Sequence, residues 1–157
     1  MISFAVEGVD QSLVEGEAML RDQWEEIAAY KDKVPLDPDY DRYRKMEAAG
    51  QLLICTARDD GKLVGYSAYF VHRGIHYSQN IVATNDVFYI SPEYRIRRAH
   101  GRMLIAAALL DYAEEKLKAL GVSVISIHIK LWKDWSPLAE RQGYARVEFI
   151  HQKYVGA

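Results

Sequence analysis

The stretch from Ile81 to Ile129 constrains the fold more than any other part of the chain. Ile81 to Ile90 reads as a strand, closed by Ser91-Pro92-Glu93. An arginine-rich turn then leads into a long apolar helix carrying Met103, Ala107, Leu110, Ala113, Leu117 and Leu120, which Gly121 stops. Val122 to Ile129 follows as a β-branched strand. A strand, a crossover helix of this length and a second strand make a βαβ unit, whose strands run parallel. Just upstream, Leu52 to Ala57 and Leu63 to Val71 flank the turn Asp59-Asp60-Gly61-Lys62, a hairpin signal that demands antiparallel pairing. The sheet must therefore be mixed.

The remaining segments fit around that sheet. Ile2 to Val6 alternates weakly as a first strand. Leu13, Met19, Trp24, Ile27 and Ala28 recur at near-helical spacing, predicting a helix through about residue 33 with Ser12 as its cap. Val34-Pro35-Leu36-Asp37-Pro38-Asp39 is a loop, and Asp39 to Ala49 a shorter helix ended by Gly50. A short helix from about Ser136 to Gln142 stops at Gly143, and Ala145 to Tyr154 is expected as a last strand. The coarse order is β-α-α-β-β-β-α-β-α-β, an α/β (α+β) mixed sheet.

At 157 residues and 18.0 kDa the chain is the size of one domain, read here as 1–157. Half of it is hydrophobic, and 20 Lys+Arg against 22 Asp+Glu leave a net charge of -2, which excludes an intrinsically disordered chain and a protein that coats nucleic acid. One cysteine, Cys55, forbids an internal disulfide framework and points to a reducing compartment. The five histidines have no metal-ligand spacing. No run approaches the roughly 18 apolar residues of a membrane span, and the first residues do not read as a signal peptide. These features place the protein in the cytoplasm, with no membrane partner.

Chemistry concentrates in Arg95-Ile96-Arg97-Arg98-Ala99-His100-Gly101-Arg102, four arginines and a histidine joining the carboxyl end of a strand to the first turn of a helix. Unpaired helix N–H groups and the positive end of the macrodipole favour an anion there, so a phosphate site is physically natural. A solvated basic turn, or a contact for nucleic-acid phosphates, is the plainer alternative.

Tyr89-Ile90-Ser91-Pro92-Glu93-Tyr94-Arg95 running into Gly101-Arg102-Met103-Leu104-Ile105, the helix end Ala113 to Gly121, and Leu138-Ala139-Glu140-Arg141-Gln142-Gly143-Tyr144 resemble the GCN5-related N-acetyltransferase (GNAT) superfamily. Trp24-Glu25-Glu26-Ile27 with Tyr43, Met46, Glu47 and Gly50 is similar, more narrowly, to the small acetyltransferase-like proteins of bacteriophages and prophages. The resemblance implies a mostly antiparallel sheet with one splayed parallel pair and helices on both faces. It implies acetyl-CoA as co-substrate, its pyrophosphate cradled by amides of the turn and its pantetheine arm between the splayed strands. The family's turn reads Gln or Arg, two residues, Gly, one residue, Gly or Ala. With Arg98 first, Gly101 matches and Met103 falls on the small position; with Gly101 last, Ala99 replaces the first glycine and Ile96 the Gln or Arg. The second register keeps Leu104-Ile105 in the helix's usual apolar place. The implied cofactor-binding residues are Phe88, Tyr89, Ile90, Arg95, Arg97, Arg98, Ala99, His100, Gly101 and Arg102.

Acetylating an amine needs a base for the ammonium proton, donors for the thioester oxyanion and an acid for the thiolate. The family's oxyanion donors are backbone N–H groups near Phe88 to Ile90. Asp86, a carboxylate inside an apolar strand, is the candidate base, with an ordinary backbone or arginine-paired aspartate as the alternative. His76, in the connection before that strand, titrates near neutrality and is a candidate contact for acceptor or proton, or else simply solvated. His128 alternates away from Ile125, Ile127 and Ile129. The family's usual acid is a tyrosine where this chain has Ala139, which leaves Tyr144, Tyr89 or water. Trp132 and Trp135 fall where relatives line the pantetheine, or in the core. Three readings follow: an N-acetyltransferase acting on a small-molecule or protein amine, a degenerate module that binds acyl-CoA or a host protein, and, least favoured by the acidic balance, a nucleic-acid module. Val147-Glu148-Phe149-Ile150, as an edge strand, is open to pairing as a homodimer or to standing alone.

Overall fold

The computed structural model describes residues 1–156. In chain order its elements are β1 (Ile2–Val6), α1 (Glu17–Ile27), α2 (Tyr40–Ala48), β2 (Leu52–Asp59), β3 (Lys62–Arg73), β4 (Ile81–Ile90), the two-residue strands β5 (Arg98–Ala99) and β6 (Met103–Leu104), α3 (Ile105–Ala119), β7 (Val122–Ser126) and α4 (Ser136–Arg141). Five strands share one sheet in the order β1-β2-β3-β4-β7. Every neighbouring pair is antiparallel except β4 with β7, so the expected mixed sheet with one parallel pair is what forms. Asp60 (φ 48) and Gly61 (φ 88) make the two-residue turn of the β2–β3 hairpin; both left-handed positions match the strand twist. Gly65 lets β3 and β4 close up, since a Cβ there would lie 2.8 Å from the Tyr89 carbonyl oxygen.

The sheet buries both faces. Against one lies α3, whose Ile105, Leu109, Ala113 and Leu117 pack on Leu53, Cys55, Tyr69 and Val71. On the other, Tyr66, Ala68, Leu52 and Ile54 pack with Val9 and Leu13, flanked by Met19, Tyr43 and Met46 of the first two helices. Helix spacing on α3 and alternation on β2 and β3 thus address the same core from opposite sides.

Several expected boundaries move. Ser12 does not cap α1: its hydroxyl donates to the Gly8 carbonyl at 2.7 Å inside a π-helical turn, Asp10–Val14, and α1 begins only after Gly16. The same helix ends at Ile27 rather than near 33, because Ala28 is extended and Tyr30 to Val34 form a separate turn. Met103 belongs to the β5–β6 hairpin and not to the long helix, and β7 ends at Ser126 rather than Ile129. The last strand is absent. Residues 145–154 run outside the sheet, leaving Val147 84% and Phe149 88% exposed. They are tethered by Arg146 to Glu140 and by Tyr154 against Tyr30. Alternation makes a strand only where a neighbouring edge is there to pair with it. None of the helices among the described residues is long and apolar enough to cross a membrane.

Candidate active site

The site starts from a mismatch of lengths. β4 pairs with β7 only from Ile81 to Thr84, opposite Val122 to Ser126, and then continues to Ile90 without that neighbour. The parallel pair is splayed beyond Thr84. On its other side β4 stays in register with β3, except that Ala68 faces Val87 while Tyr69 faces Asn85. Asp86 is the extra residue of a β-bulge. A bulge places two consecutive side chains on one face and bends the strand. Val87 packs with the α1–α2 side, and Asp86 turns to the same side to meet Tyr43. The Asn85 carboxamide patches the disturbed ladder, donating to Val87 O at 2.7 Å and to Ala68 O at 3.3 Å.

Asp86 accepts a short hydrogen bond at Oδ2 from the Tyr43 hydroxyl. Burial pushes the Asp86 carboxyl above its ordinary value, and the bond from Tyr43 pulls partly against that rise. Tyr43 is itself raised, first by burial and then by the negative charge of Asp86, so its proton stays on the phenol. The buried hydroxyls of Tyr40 and Tyr66 have no hydrogen-bond partner among the described residues, and burial raises both phenols.

The open edge of β4 can be read from its bonds. Ser91 N–H donates to Val64 O at 3.0 Å, so Tyr89 and Val87, of the same parity, direct their backbone groups to β3. Phe88 and Ile90 therefore turn theirs to the splayed edge. Their carbonyls are taken there by side chains of this chain: Gln23 Nε2 donates to Phe88 O at 3.2 Å, and Arg95 Nε to Ile90 O at 2.9 Å. Arg95 also grips Glu26 at 2.7 and 3.0 Å, while Lys133 reaches the same carboxylate at 3.2 Å. Burial alone would raise Glu26, but the two cations outweigh it and hold the carboxyl below its ordinary value. Trp135 stacks on Phe88 with ring centroids 4.7 Å apart.

The arginine-rich segment folds into a hairpin. His100 (φ 50) and Gly101 (φ 69) occupy its turn, which Arg102 N–H closes on Ala99 O at 3.1 Å. Arg95 N–H donates to Pro92 O and Arg97 N–H to Tyr94 O, so with Arg102 three amides of the segment are already spent within the chain, and Ile105 N–H, at the start of α3, is spent on Arg97 O. Those of Ala106 and Ala107, in the first turn of α3, have no helical partner, and no acidic residue stands beside them. The arginines divide by role. Arg95 is clamped, Arg97 lies 4.4 Å over the Tyr94 ring, and Arg98 donates to Arg102 O at 2.7 Å. Among the described residues no carboxylate pairs with Arg98 or Arg102.

The family model described as Acetyltransferase (GNAT) family matches residues 17–144. The chain belongs to this acetyltransferase family. No curated protein matches it in sequence. Among solved structures it is similar to an aminoglycoside acetyltransferase from an uncultured soil metagenomic sample, with TM-score 0.74 and 16% identity over 100% of this chain and 99% of that one. It is similar also to glucosamine-6-phosphate N-acetyltransferase from Arabidopsis thaliana (TM-score 0.72, 11% identity, 99% of each chain). A third is a "predicted acetyltransferase with acetyl-CoA" from Clostridium acetobutylicum (TM-score 0.71, 12% identity, 98% of this chain and 96% of that one). At these identities the structures show the GNAT fold. The narrower phage-type likeness finds no support in these matches.

Within the GNAT frame the expected residues separate. Asp86, Phe88, Tyr89 and Ile90 lie along the splayed part of β4, and Arg95 beside it. His76 is exposed in the turn before β4, at the end where β4 and β7 are still paired, away from the opening. Tyr144 lies near Glu114 and Asp111 of α3, with its phenol pushed up to about 12 by burial and by those two carboxylates; the structure does not bring it against Asp86. His128 is exposed, and Ala139 is buried, 2% exposed. Gln23 is a site neighbour absent from the sequence-based candidates, and Glu26, read from the sequence only as part of the Trp24-Glu25-Glu26-Ile27 motif, is the carboxylate that Arg95 and Lys133 share. Gln23 had a signal: it stands on the apolar stripe between Leu20 and Ile27, where a polar side chain needs a partner.

Proposed function

We propose that this GNAT chain moves an acetyl group from acetyl-CoA to a primary amine, carried by a small molecule or by a protein. The observation that supports this reading is Asp86: a half-buried carboxylate on a bulge, at the opening of the parallel pair β4 and β7, oriented by a phenol. An amine arrives as an ammonium and must lose a proton before it attacks, and a carboxylate with a raised pKa is a competent general base. Tyr43 holds Asp86 in place. The N–H groups of Phe88 and Ile90, on the unpaired edge, are donors for the developing oxyanion. The residues present fit the co-substrate, which supplies an acyl group activated as a thioester. The free amides at the start of α3 with Arg98, His100 and Arg102 hold its phosphates, and the open edge of β4 takes its extended arm. Ala139 offers no hydroxyl to the departing thiolate, so Tyr144, protonated at neutral pH, or water supplies that proton.

The test is a thermal-unfolding titration with acetyl-CoA, CoA and an oligonucleotide in parallel. A ligand of the folded state at about 100 times its Kd adds roughly 2.7 kcal/mol. Acetyl-CoA and CoA are expected to raise Tm and the oligonucleotide to leave it unchanged. No shift at millimolar acetyl-CoA would end this reading. Binding without thiol release across a panel of primary amines would instead favour a degenerate module.

A further inference from the structure

We propose that Gln23 is a positioning residue for the pantetheine arm, its Oε1 accepting an amide N–H of that arm; the inference rests on the acetyl-CoA reading above. Gln23 is 5% exposed on α1, and its carboxamide is committed at one end only. Nε2 donates to Phe88 O at 3.2 Å, which fixes which end of the amide is which, since a carbonyl accepts only from the NH2. Oε1 is buried and has no donor. A buried acceptor left alone bears its full desolvation cost, so a leucine or methionine would serve α1 better unless a donor arrives during function.

The position of Gln23 identifies the donor. Phe88 O belongs to the unpaired edge of β4, where an extended chain docks by presenting amides as a further strand would. Gln23 takes that carbonyl and offers its own in place of it. The pantetheine arm is an extended chain with two secondary amides, and each carries one N–H. The acceptor's ammonium, by contrast, has to face Asp86, two residues upstream, to lose its proton. Arg95 occupies Ile90 O in the same way but has no acceptor to pass on, so only Gln23 extends the edge as an acceptor.

The test compares full-length wild type and Gln23→Met by calorimetric titration with acetyl-CoA and with adenosine 3′,5′-bisphosphate, which lacks the arm. The variant is expected to bind acetyl-CoA roughly tenfold more weakly and the bisphosphate equally well. Equal acetyl-CoA affinity in the two proteins overturns the proposal while leaving the acetyl-CoA reading intact, and a parallel loss for both ligands overturns it as a general structural effect. Failure of the wild type itself to bind acetyl-CoA overturns both readings. Should the variant not fold, the Gln23 carboxamide ¹³C resonance of the wild type decides. It is expected to move with acetyl-CoA and not with the bisphosphate, and an unmoved resonance overturns the proposal.

Discussion

Tyr43 hands its hydroxyl hydrogen to Oδ2 of Asp86, tying the middle of α2 to the bulge of β4. Burial raises the carboxyl and this bond lowers it, so Tyr43→Phe removes the lowering influence and the pKa rises further. A base works only when ionised. The acid limb of the rate profile for amine acetylation is therefore expected to move to higher pH in Tyr43→Phe, with acetyl-CoA affinity unchanged. A limb that stays in place would mean that another group sets it.

Replacing Asp86 by Asn separates chemistry from stability. Turnover is expected to fall on the order of 10²-fold, the usual contribution of a general base, with acetyl-CoA still bound. The sign of the stability effect follows from the raised pKa. The folded state prefers the neutral carboxyl, an advantage complete below the unfolded value of about 3.9 and lost as pH rises through the higher folded value. At pH 7 Asp86→Asn is thus expected to melt above the wild type, with the gap closing toward pH 4. A lower Tm for the variant at pH 7 would contradict the burial of the charge.

The arginines of the turn are expected to divide. Arg95→Ala frees Glu26 and the Ile90 carbonyl and should cost about 1–2 kcal/mol, visible as a lower Tm. Arg102→Ala should leave Tm unchanged and weaken acetyl-CoA binding several-fold, with a shallower dependence on salt, as removal of a phosphate contact does. The opposite pattern would exchange the two roles.

Far from the site, Arg58 fastens the opening of the chain to the sheet. Its side chain, 16% exposed, meets Glu7 at 2.8 Å through two nitrogens, Glu15 at 2.8 Å, and the carbonyls of Gln11 and Gly61. Arg58→Leu should cost about 2–3 kcal/mol, the lower part of the range for breaking a buried pair because Glu15 stays in contact with water. Arg58 also holds the Glu15 carboxyl below its ordinary value. A lowered group stabilises above the unfolded value of about 4.3 and loses that contribution as pH falls. Urea titrations of both proteins at pH 7 and pH 3.5 are expected to show the difference shrinking with acid.

Cys55 is fully buried, and burial pushes its thiol up to about 12. In native buffer at pH 8 it should resist an aromatic disulfide reagent and react only as the protein unfolds. Labelling at the rate of a free thiol would show that β2 opens.

What could be read from the sequence was what local chemistry controls. The Asp60-Gly61 turn, the Gly121 stop and the β-branched run after it define a hairpin and a crossover wherever they occur, and Asp86 stands out as a charge in an apolar strand. The missing last strand was legible only as alternation, and alternation is silent about whether an edge is free to pair. Tyr43 could be seen as an aromatic on a helix face, but its bond to Asp86 depends on the bulge, and a bulge is a property of the register between two strands. The arginines looked alike because charge is additive in sequence. Only packing distinguishes Arg95, clamped by Glu26, from Arg102.

The bulge also has a meaning for engineering. β3 and β4 pair on either side of Asp86 without using it, so the sheet would run more regularly if the residue were deleted than if it were replaced. Substitution leaves the kink and removes the charge, whereas deletion lets Asn85 and Val87 follow each other as an even pleat against Tyr69 and Ala68, with Phe88 and Ile90 still turned to the splayed edge. The chemistry is entrusted to the one position of β4 that the scaffold can spare, and a design seeking a more stable, inert version of this fold would begin by removing it.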